Sequence, residues 1–257
     1  MILLFIIFTL AINIIGVKCW KFLRLCGGHS DSNDIGVIDV AFTSNFEYIW
    51  FVGWRGWMVT RTNGDRICHK MTSEDDPMAE SVTVSISSNG QYVFIVSGKS
   101  DNTAYCLYKS NNFGDSFSQK LTGLTRDRTI VQTSDSGQYV AVSSGSSNIY
   151  ISTNFGDSFQ SNVYINSNVY SYYRSLGDFK VSGSGQYLFS PEKFSTDFGQ
   201  NWNSWSVFTS NVRVIGSTKD GKFVLGIYED SGQVKGLLSS DYGNSFSSPV
   251  GIYFFLT

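Results

Sequence analysis

The sequence has little of what many catalytic and nucleic-acid-binding proteins use. Its 257 residues include three prolines, four cysteines and two histidines, and 16% of them are charged. The formal net charge is -2 and no cluster of Lys and Arg forms a surface for phosphates, so we expect no nucleic-acid partner. A glycine-rich phosphate loop, a dinucleotide fingerprint and a Ser–His–Asp spacing are also missing.

The few cysteines limit the possible metal and disulfide chemistry. Cys19, Cys26, Cys68 and Cys106 lack the paired spacing of a zinc site and are too few for a disulfide scaffold. We expect free thiols or at most one disulfide bond. We also expect no metal and no other cofactor.

Glycine and aromatic residues, in contrast, are abundant. The chain contains 25 Gly, 14 Tyr and 20 Phe, and 42% of it is hydrophobic, enough to bury a core. Many aromatic residues with many glycines and few prolines are typical of short β-strands joined by tight turns.

The N-terminal segment is apolar. Residues 2–15 are interrupted only by Thr9 and Asn13. This run is long enough for a signal peptide and short for a membrane span, which needs about 20 apolar residues. We interpret residues 1–19 as a cleaved signal peptide, with a retained membrane anchor as the alternative. The protein is then expected to be secreted or attached to the cell surface, touching the membrane only through this segment if it is not cleaved.

Two turn signals alternate along the rest of the chain. The first is a hairpin such as "SISSNGQYVFIVSG", in which Asn-Gly, Ser-Gly or Asp-Gly stands between alternating apolar residues. Glycine reaches positive φ without a steric clash, so this pattern predicts a β-hairpin. The copies occupy residues 85–98, 132–145, 180–190 and 216–228, with a diverged copy at 40–53.

The second signal is a turn such as "KSNNFGDSFSQ". Its copies begin at Ser110, Ser152, Ser195 and Ser239, with a worn copy at Thr60, at intervals of about 42 to 50 residues. That interval predicts an all-β propeller of four-stranded antiparallel blades. We expect five blades in residues 35–257, after a linker at 20–34. A sixth, incomplete blade built from the termini and a Greek-key sandwich are the structural alternatives.

The second turn resembles the Asp-box, or BNR repeat, of sialidase-like propellers, roughly Ser-x-Asp-x-Gly-x-Thr-Trp. The resemblance implies a structural turn, away from the catalytic face, whose last aromatic packs between neighbouring sheets. The matching Asp, Gly and final aromatic positions are Asn112, Gly114 and Phe117; Asn154, Gly156 and Phe159; Asp197, Gly199 and Trp202; and Asp241, Gly243 and Phe246.

The loops at the opposite end of the blades are the predicted ligand-binding face, because loops on a rigid scaffold vary freely. An exposed Trp beside an Arg can stack on a sugar ring or hold a partner's side chain. Trp50 and Trp57 are instead expected to fill gaps between blades. The candidate ligand-binding residues are Trp54, Arg55, Arg126, Arg128, Tyr172, Tyr173 and Arg174.

The resemblance also suggests an enzymatic alternative. A sialidase-like enzyme needs three Arg to clamp a carboxylate, a Tyr–Glu nucleophile pair and an Asp acid. This chain lacks the Phe-Arg-Ile-Pro signature and has five apparent units instead of six. Another hydrolase would need a carboxylate pair, such as Glu74 or Asp76 with Glu192 or Glu229.

We therefore predict no catalytic residues. The leading hypothesis is a non-catalytic binding or scaffolding propeller that recognises a protein or glycan through its loop face. A sialidase-like glycoside hydrolase and an assembly factor are the alternatives.

Overall fold

The structure is a computed structural model. Every element in the part of the chain that it describes is a β-strand, and no helix there is long and apolar enough to cross a membrane. The described residues are 36–54, 56–61, 66–70, 80–98, 105–126, 129–144, 148–164, 179–190, 193–205, 213–230, 233–248 and 250–251. The predicted signal peptide and linker lie outside them.

The strands form five groups of four, which we call units 1 to 5. Unit 1 contains Gly36–Phe42 (β1), Tyr48–Trp54 (β2), Gly56–Arg61 (β3) and Arg66–Lys70 (β4). Unit 2 contains Glu80–Ile86 (β5), Val93–Gly98 (β6), Tyr105–Ser110 (β7) and Ser118–Leu124 (β8). Unit 3 contains Ile130–Thr133 (β9), Val140–Ser144 (β10), Asn148–Ser152 (β11) and Gln160–Tyr164 (β12).

The last two units have shorter strands. Unit 4 contains Lys180–Val181 (β13), Leu188–Phe189 (β14), Lys193–Ser195 (β15) and Asn203–Ser204 (β16). Unit 5 contains Arg213–Ser217 (β17), Val224–Asp230 (β18), Gln233–Ser239 (β19) and Val250–Gly251 (β20). Each strand pairs antiparallel with the next in its unit, and one pair, Trp54 with Glu80, joins units 1 and 2. The prediction of an all-β chain of four-stranded antiparallel sheets is confirmed.

The hairpin between the first and second strands has the same geometry in every unit. In unit 2, Ser87 N–H donates to the Tyr92 carbonyl over 2.9 Å, and Gly90 N–H donates to the Ser87 carbonyl over 2.9 Å. Tyr92 N–H donates to Ser87 Oγ over 3.0 Å instead of to a neighbouring strand. The second strand therefore begins at Val93, two residues later than Gln91, where the sequence pattern predicts it.

The hydrophobic core lies between the units. Trp50, Val52, Trp57 and Val59 of unit 1 pack with Val84, Val93, Ile95 and Tyr108 of unit 2. Three further clusters join units 2 and 3, units 3 and 4, and units 4 and 5 in the same way. Trp50 and Trp57 are buried in the first of these interfaces, at 0% and 5% exposure, as gap-filling residues would be.

A tyrosine at the start of the second strand connects each unit to the next. The Tyr92 ring of unit 2 stacks on Phe155 of unit 3, with ring centroids 4.9 Å apart. The same ring lies against Gly137 in the hairpin of unit 3, where an added Cβ would be 2.6 Å from Tyr92 Cδ2. We call this space, bounded by a hairpin glycine and an aromatic ring of the next unit, a tyrosine slot. The equivalent stacked pairs are Tyr48–Phe113, Tyr139–Phe198 and Tyr187–Tyr242.

Candidate functional site

The antiparallel order gives the five units two different ends. The turn face carries the hairpins between first and second strands and the turns between third and fourth strands, which we call box turns. The loop face carries the connections between second and third strands and from each unit to the next.

The box turns are held by one repeated set of hydrogen bonds. Ser110 Oγ accepts from Gly114 N–H over 2.9 Å, and Asn112 Oδ1 accepts from Ser116 N–H over 3.1 Å. These bonds span four residues. The turn that spans two residues, expected here from the sequence, occurs in the hairpins, where Asn89 Oδ1 accepts from Gln91 N–H. The other three box turns repeat both four-residue bonds from Ser152 and Asn154, Ser195 and Asp197, and Ser239 and Asp241.

The last aromatic of each box turn packs against the preceding unit. Phe117 lies 5.9 Å from Trp50 and 5.3 Å from Trp57, measured between ring centroids. Phe159, Trp202 and Phe246 pack on units 2, 3 and 4 in the same way. These residues thus serve the interfaces between units.

Sequence reasoning missed the first aromatic of the box turn. Phe113, Phe155, Phe198 and Tyr242 all have φ near +60°, in the left-handed region that non-glycine residues rarely adopt. This backbone places each ring over the tyrosine of the preceding unit. The available signal was the joint recurrence of an aromatic before the box glycine and an aromatic two residues after the hairpin glycine.

The acidic residues that follow the box glycines make ion pairs between units. Asp157 Oδ1 lies 2.9 Å from Nζ of both Lys109 and Lys120 of the preceding unit. Hydrogen bonds from Lys109 and then Lys120 lower the pKa of Asp157 below its ordinary value. Asp115 Oδ1 contacts Arg61 Nη2 over 3.2 Å. Both carboxylates therefore have a structural use, where the sequence suggested only caps or solvent-facing charges.

Arg126 is the predicted ligand-binding residue whose side chain the structure describes best. Its Nε and Nη2 donate to Glu80 Oε1 over 3.0 and 2.6 Å. Tyr105 OH donates to the other carboxylate oxygen, Oε2, over 2.7 Å. Glu80 and Tyr105 are buried, at 7% and 0% exposure, whereas the Arg126 side chain is 29% exposed. The cluster fastens the 125–129 connection to the loop-face end of unit 2.

The remaining candidates cannot be placed as a site. Trp54 is the last residue of β2, and Glu229 lies in β18 opposite Val234. The other predicted ligand-binding residues and carboxylates lie outside the described residues: Arg55, Arg128, Tyr172, Tyr173, Arg174, Glu74, Asp76 and Glu192.

A network at the centre of the turn face connects non-adjacent units. Asp135 Oδ1 accepts from Ser88 Oγ over 2.8 Å, and its Oδ2 lies 2.9 Å from Lys219 Nζ. Lys219 thereby brings the hairpin of unit 5 to those of units 2 and 3. Backbone bonds run in the same order, from Ser88 N–H to the Asp135 carbonyl and from Asp135 N–H to the Gly183 carbonyl. The hairpins therefore converge on a common centre.

A half-buried carboxyl group joins the first strands of units 1 and 2. Asp39 Oδ2 accepts from Thr83 Oγ1 over 3.0 Å and from Val84 N–H over 2.9 Å. Burial raises the pKa of Asp39, although these hydrogen bonds and the charge of Lys180 oppose the change. Burial lowers the pKa of Lys180 in turn.

A shallow groove of about 360 Å³ lies between units 4 and 5. Phe194 and Trp205 form its floor, but they are only 8% and 7% exposed, and Trp205 Nε1 already donates to the Ser190 carbonyl over 2.8 Å. Such a floor gives a sugar ring little aromatic surface for stacking. Within the described ranges, no group of three or more His, Cys, Asp or Glu side chains is placed to hold a metal ion.

Comparison with known proteins identifies the fold. No protein-family model and no curated protein matches the sequence. A functionally unknown protein from Desulfotomaculum acetoxidans is similar with a TM-score of 0.58 and 15% identity, over 85% of this chain and 71% of that one. YCF48 from Cyanidioschyzon merolae is similar with a TM-score of 0.51 and 14% identity, over 87% and 73%, and has also been solved bound to a D1 peptide.

A glycoside hydrolase is among the similar structures. The GH74 enzyme of Niastella koreensis matches with a TM-score of 0.55 and 11% identity over 86% of this chain, which spans about half (46%) of that enzyme. At such low identities these matches establish the fold alone. Together with the four-stranded antiparallel units, they show that the chain is a β-propeller.

Proposed function

We propose that this chain is a non-catalytic propeller of the Asp-box type that binds a protein partner through its loop face. The observation that carries the proposal is the contrast between the two ends. On the turn face, the first-strand residue and the aromatic five positions later exchange the same backbone hydrogen bond in all five units, from Thr43–Tyr48 to Thr218–Phe223.

The loop face, in contrast, has no constant geometry. Its connections range from the single residue 55 to the stretch 165–179. Constant turns stabilise the scaffold, and connections that differ from unit to unit on such a scaffold are typical of recognition surfaces. The Glu80–Arg126–Tyr105 cluster supports this by fixing the base of one connection with charge-assisted hydrogen bonds.

The use of the box residues supports binding over catalysis. Asn112, Asn154, Asp197 and Asp241 have their side-chain oxygens engaged in turn hydrogen bonds. YCF48, a propeller of similar fold, has been solved with a bound peptide, which makes a protein partner the first choice over a glycan. The apolar N-terminal segment places the proposed interaction outside the cell or at its surface.

Two sets of substitutions in the full chain test this proposal. The loop-face set is Tyr172→Ala, Tyr173→Ala and Arg174→Ala; the turn-face control set is Asn111→Ala and Ser240→Ala, both exposed on box turns. A partner is identified by crosslinking in the native cells and purified, and its affinity for each variant is measured by titration calorimetry.

The loop-face set should weaken binding at least tenfold and the control set should leave it unchanged. Equal affinity for both variants would refute a loop-face site. Turnover of a sialoside or of xyloglucan by the unsubstituted protein would favour the hydrolase instead.

A further inference from the structure

Unit 5 exposes side chains whose counterparts are buried in every other unit. Leu225 of β18 pairs with Leu238 of β19, and these two are 38% and 47% exposed. Strand registers give the equivalent pairs as Trp50–Val59, Phe94–Lys109, Ala141–Ile151 and Phe189–Phe194. All eight of those residues are at most 8% exposed, because the next unit covers them.

The aromatic residue that should enter the next tyrosine slot is exposed as well. Phe223 occupies the position of Tyr187 and the other slot tyrosines, yet it is 41% exposed. Each of those tyrosines meets a glycine and an aromatic ring of the following unit, as Tyr187 meets Gly221 and Tyr242. Unit 5 therefore presents the apolar face that elsewhere inserts into a neighbour.

Unit 1 does not offer the matching slot. Its hairpin has Phe46, with φ 57°, where the other four hairpins have glycine. The Phe46 ring stacks on Phe42 with centroids 5.1 Å apart, and Phe42 is 51% exposed. A side chain at position 46 occupies the space that a glycine leaves for a tyrosine, so units 5 and 1 cannot join as the other pairs do. We call the apolar surface formed by Phe42, Phe46, Phe223, Leu225 and Leu238 the open seam.

The chain itself carries a segment with the chemistry that this surface needs. Four tyrosine slots show that such a ring is received by glycine and an aromatic residue. Residues 20–35, "WKFLRLCGGHSDSNDI", combine Trp20 and Phe22 with the pair Gly27–Gly28. The same residues bring Leu23 and Leu25, which are suited to cover leucines.

The segment is also tethered beside the open seam. It is continuous with Gly36, the first residue of β1, and β1 ends at Phe42, which belongs to the seam. Sixteen extended residues reach about 50 Å, whereas a seven-residue strand covers about 23 Å. The segment can therefore return along β1 to the turn-face end. A tether of this length gives a high effective concentration, an advantage that neither a second copy nor a foreign protein has.

We propose that residues 20–35 pack on the open seam between units 5 and 1 and close the propeller. This inference does not depend on the loop-face function, because the seam residues lie towards the turn face. It predicts that the seam is protected from solvent in the isolated full-length protein.

Thiol labelling in the full chain tests the proposal. Cys19, Cys26, Cys68 and Cys106 are replaced by Ser, and one cysteine is introduced at the seam by Leu238→Cys or, as control, on an exposed outer strand by Gln119→Cys. Each protein is made with the native segment and with Trp20, Phe22, Leu23 and Leu25 replaced by Ser. Circular dichroism checks that all variants are folded.

The seam cysteine should react at least tenfold more slowly than the control cysteine, and the serine-substituted segment should remove that difference. Labelling of the control cysteine should not respond to the segment. Protection that increases with protein concentration would show a second copy on the seam and refute the proposal. Equally fast labelling of both cysteines would leave the seam open to a foreign partner and would also refute it.

Discussion

Substituting Gly137 by Ala tests the tyrosine slot in quantitative terms. Gly137 has φ 79°, and an added Cβ would lie 2.6 Å from Cδ2 and 2.9 Å from Cβ of Tyr92. Left-handed backbone costs an L-residue about 1–2 kcal/mol relative to glycine. Overpacking against the buried face of the ring adds about 1–3 kcal/mol. The free energy of unfolding should therefore fall by about 2–5 kcal/mol.

Gly123 provides a matched control for the backbone contribution. Its φ of 74° is nearly the same, but no atom lies within 4 Å of the added Cβ. Gly123→Ala should lose only the backbone part, about 1–2 kcal/mol. Adding Tyr92→Ala to Gly137→Ala should remove the overpacking part, because the ring is then gone.

Urea titration followed by tryptophan fluorescence gives the free energies of unfolding for these variants. The decisive quantity is the difference between the Gly137 and Gly123 variants. If the two substitutions cost the same, the Tyr92 ring does not fill the hairpin of unit 3 and the slot geometry is wrong.

Three further predictions concern polar groups. Tyr105→Phe removes a hydrogen bond to the buried Glu80 carboxylate and should lower the free energy of unfolding by about 1.5–3 kcal/mol in urea titration. Asp157 has a lowered pKa, so its ion pair with Lys109 stabilises the protein above the unfolded-state pKa near 4 and is lost as the pH falls through the folded-state pKa; Asp157→Asn should flatten the acid limb of a thermal-stability profile, and an unchanged limb would contradict this. Asp39 has a raised pKa, so its contribution is opposite in sign: as the pH rises above about 4, the native protein should lose stability relative to Asp39→Asn, and a parallel pH dependence of the two melting temperatures would refute the assignment.

The repeated parts of the fold could be predicted from sequence because each copy supports the others. The interval between box turns predicts four strands per unit, and the structure has them. Boundaries differ by about two residues where a side chain replaces a strand hydrogen bond, as Ser87 Oγ does for Tyr92 N–H. Periodicity alone does not register such a replacement.

The contacts between units were harder to predict. Tyr48 stacks on Phe113, a residue far along the chain in the next unit, and periodicity within one unit does not indicate this contact. The open seam has a sequence signal, because Phe46 stands where four other hairpins have glycine. Its meaning becomes clear only when those glycines are seen to receive tyrosine rings.

The loop face depends on residues that do not recur between units. Arg126 was selected from its position in a loop, but its pairing with Glu80, 46 positions earlier, depends on tertiary structure. Composition can suggest that such a side chain is available. It cannot show which of its donors are already used.

The most direct test of the account is a double-mutant cycle across one slot. Tyr187 of unit 4 and Tyr242 of unit 5 stack with centroids 4.4 Å apart. Replacing each by Leu, singly and together, should give a coupling energy of about 0.5–1.5 kcal/mol in urea titration. The same cycle for Tyr187 with Phe198, which stacks on Tyr139 instead, should give a much smaller value. Equal coupling in the two cycles, or none in the first, would contradict the claim that the repeated turns join each unit to the next.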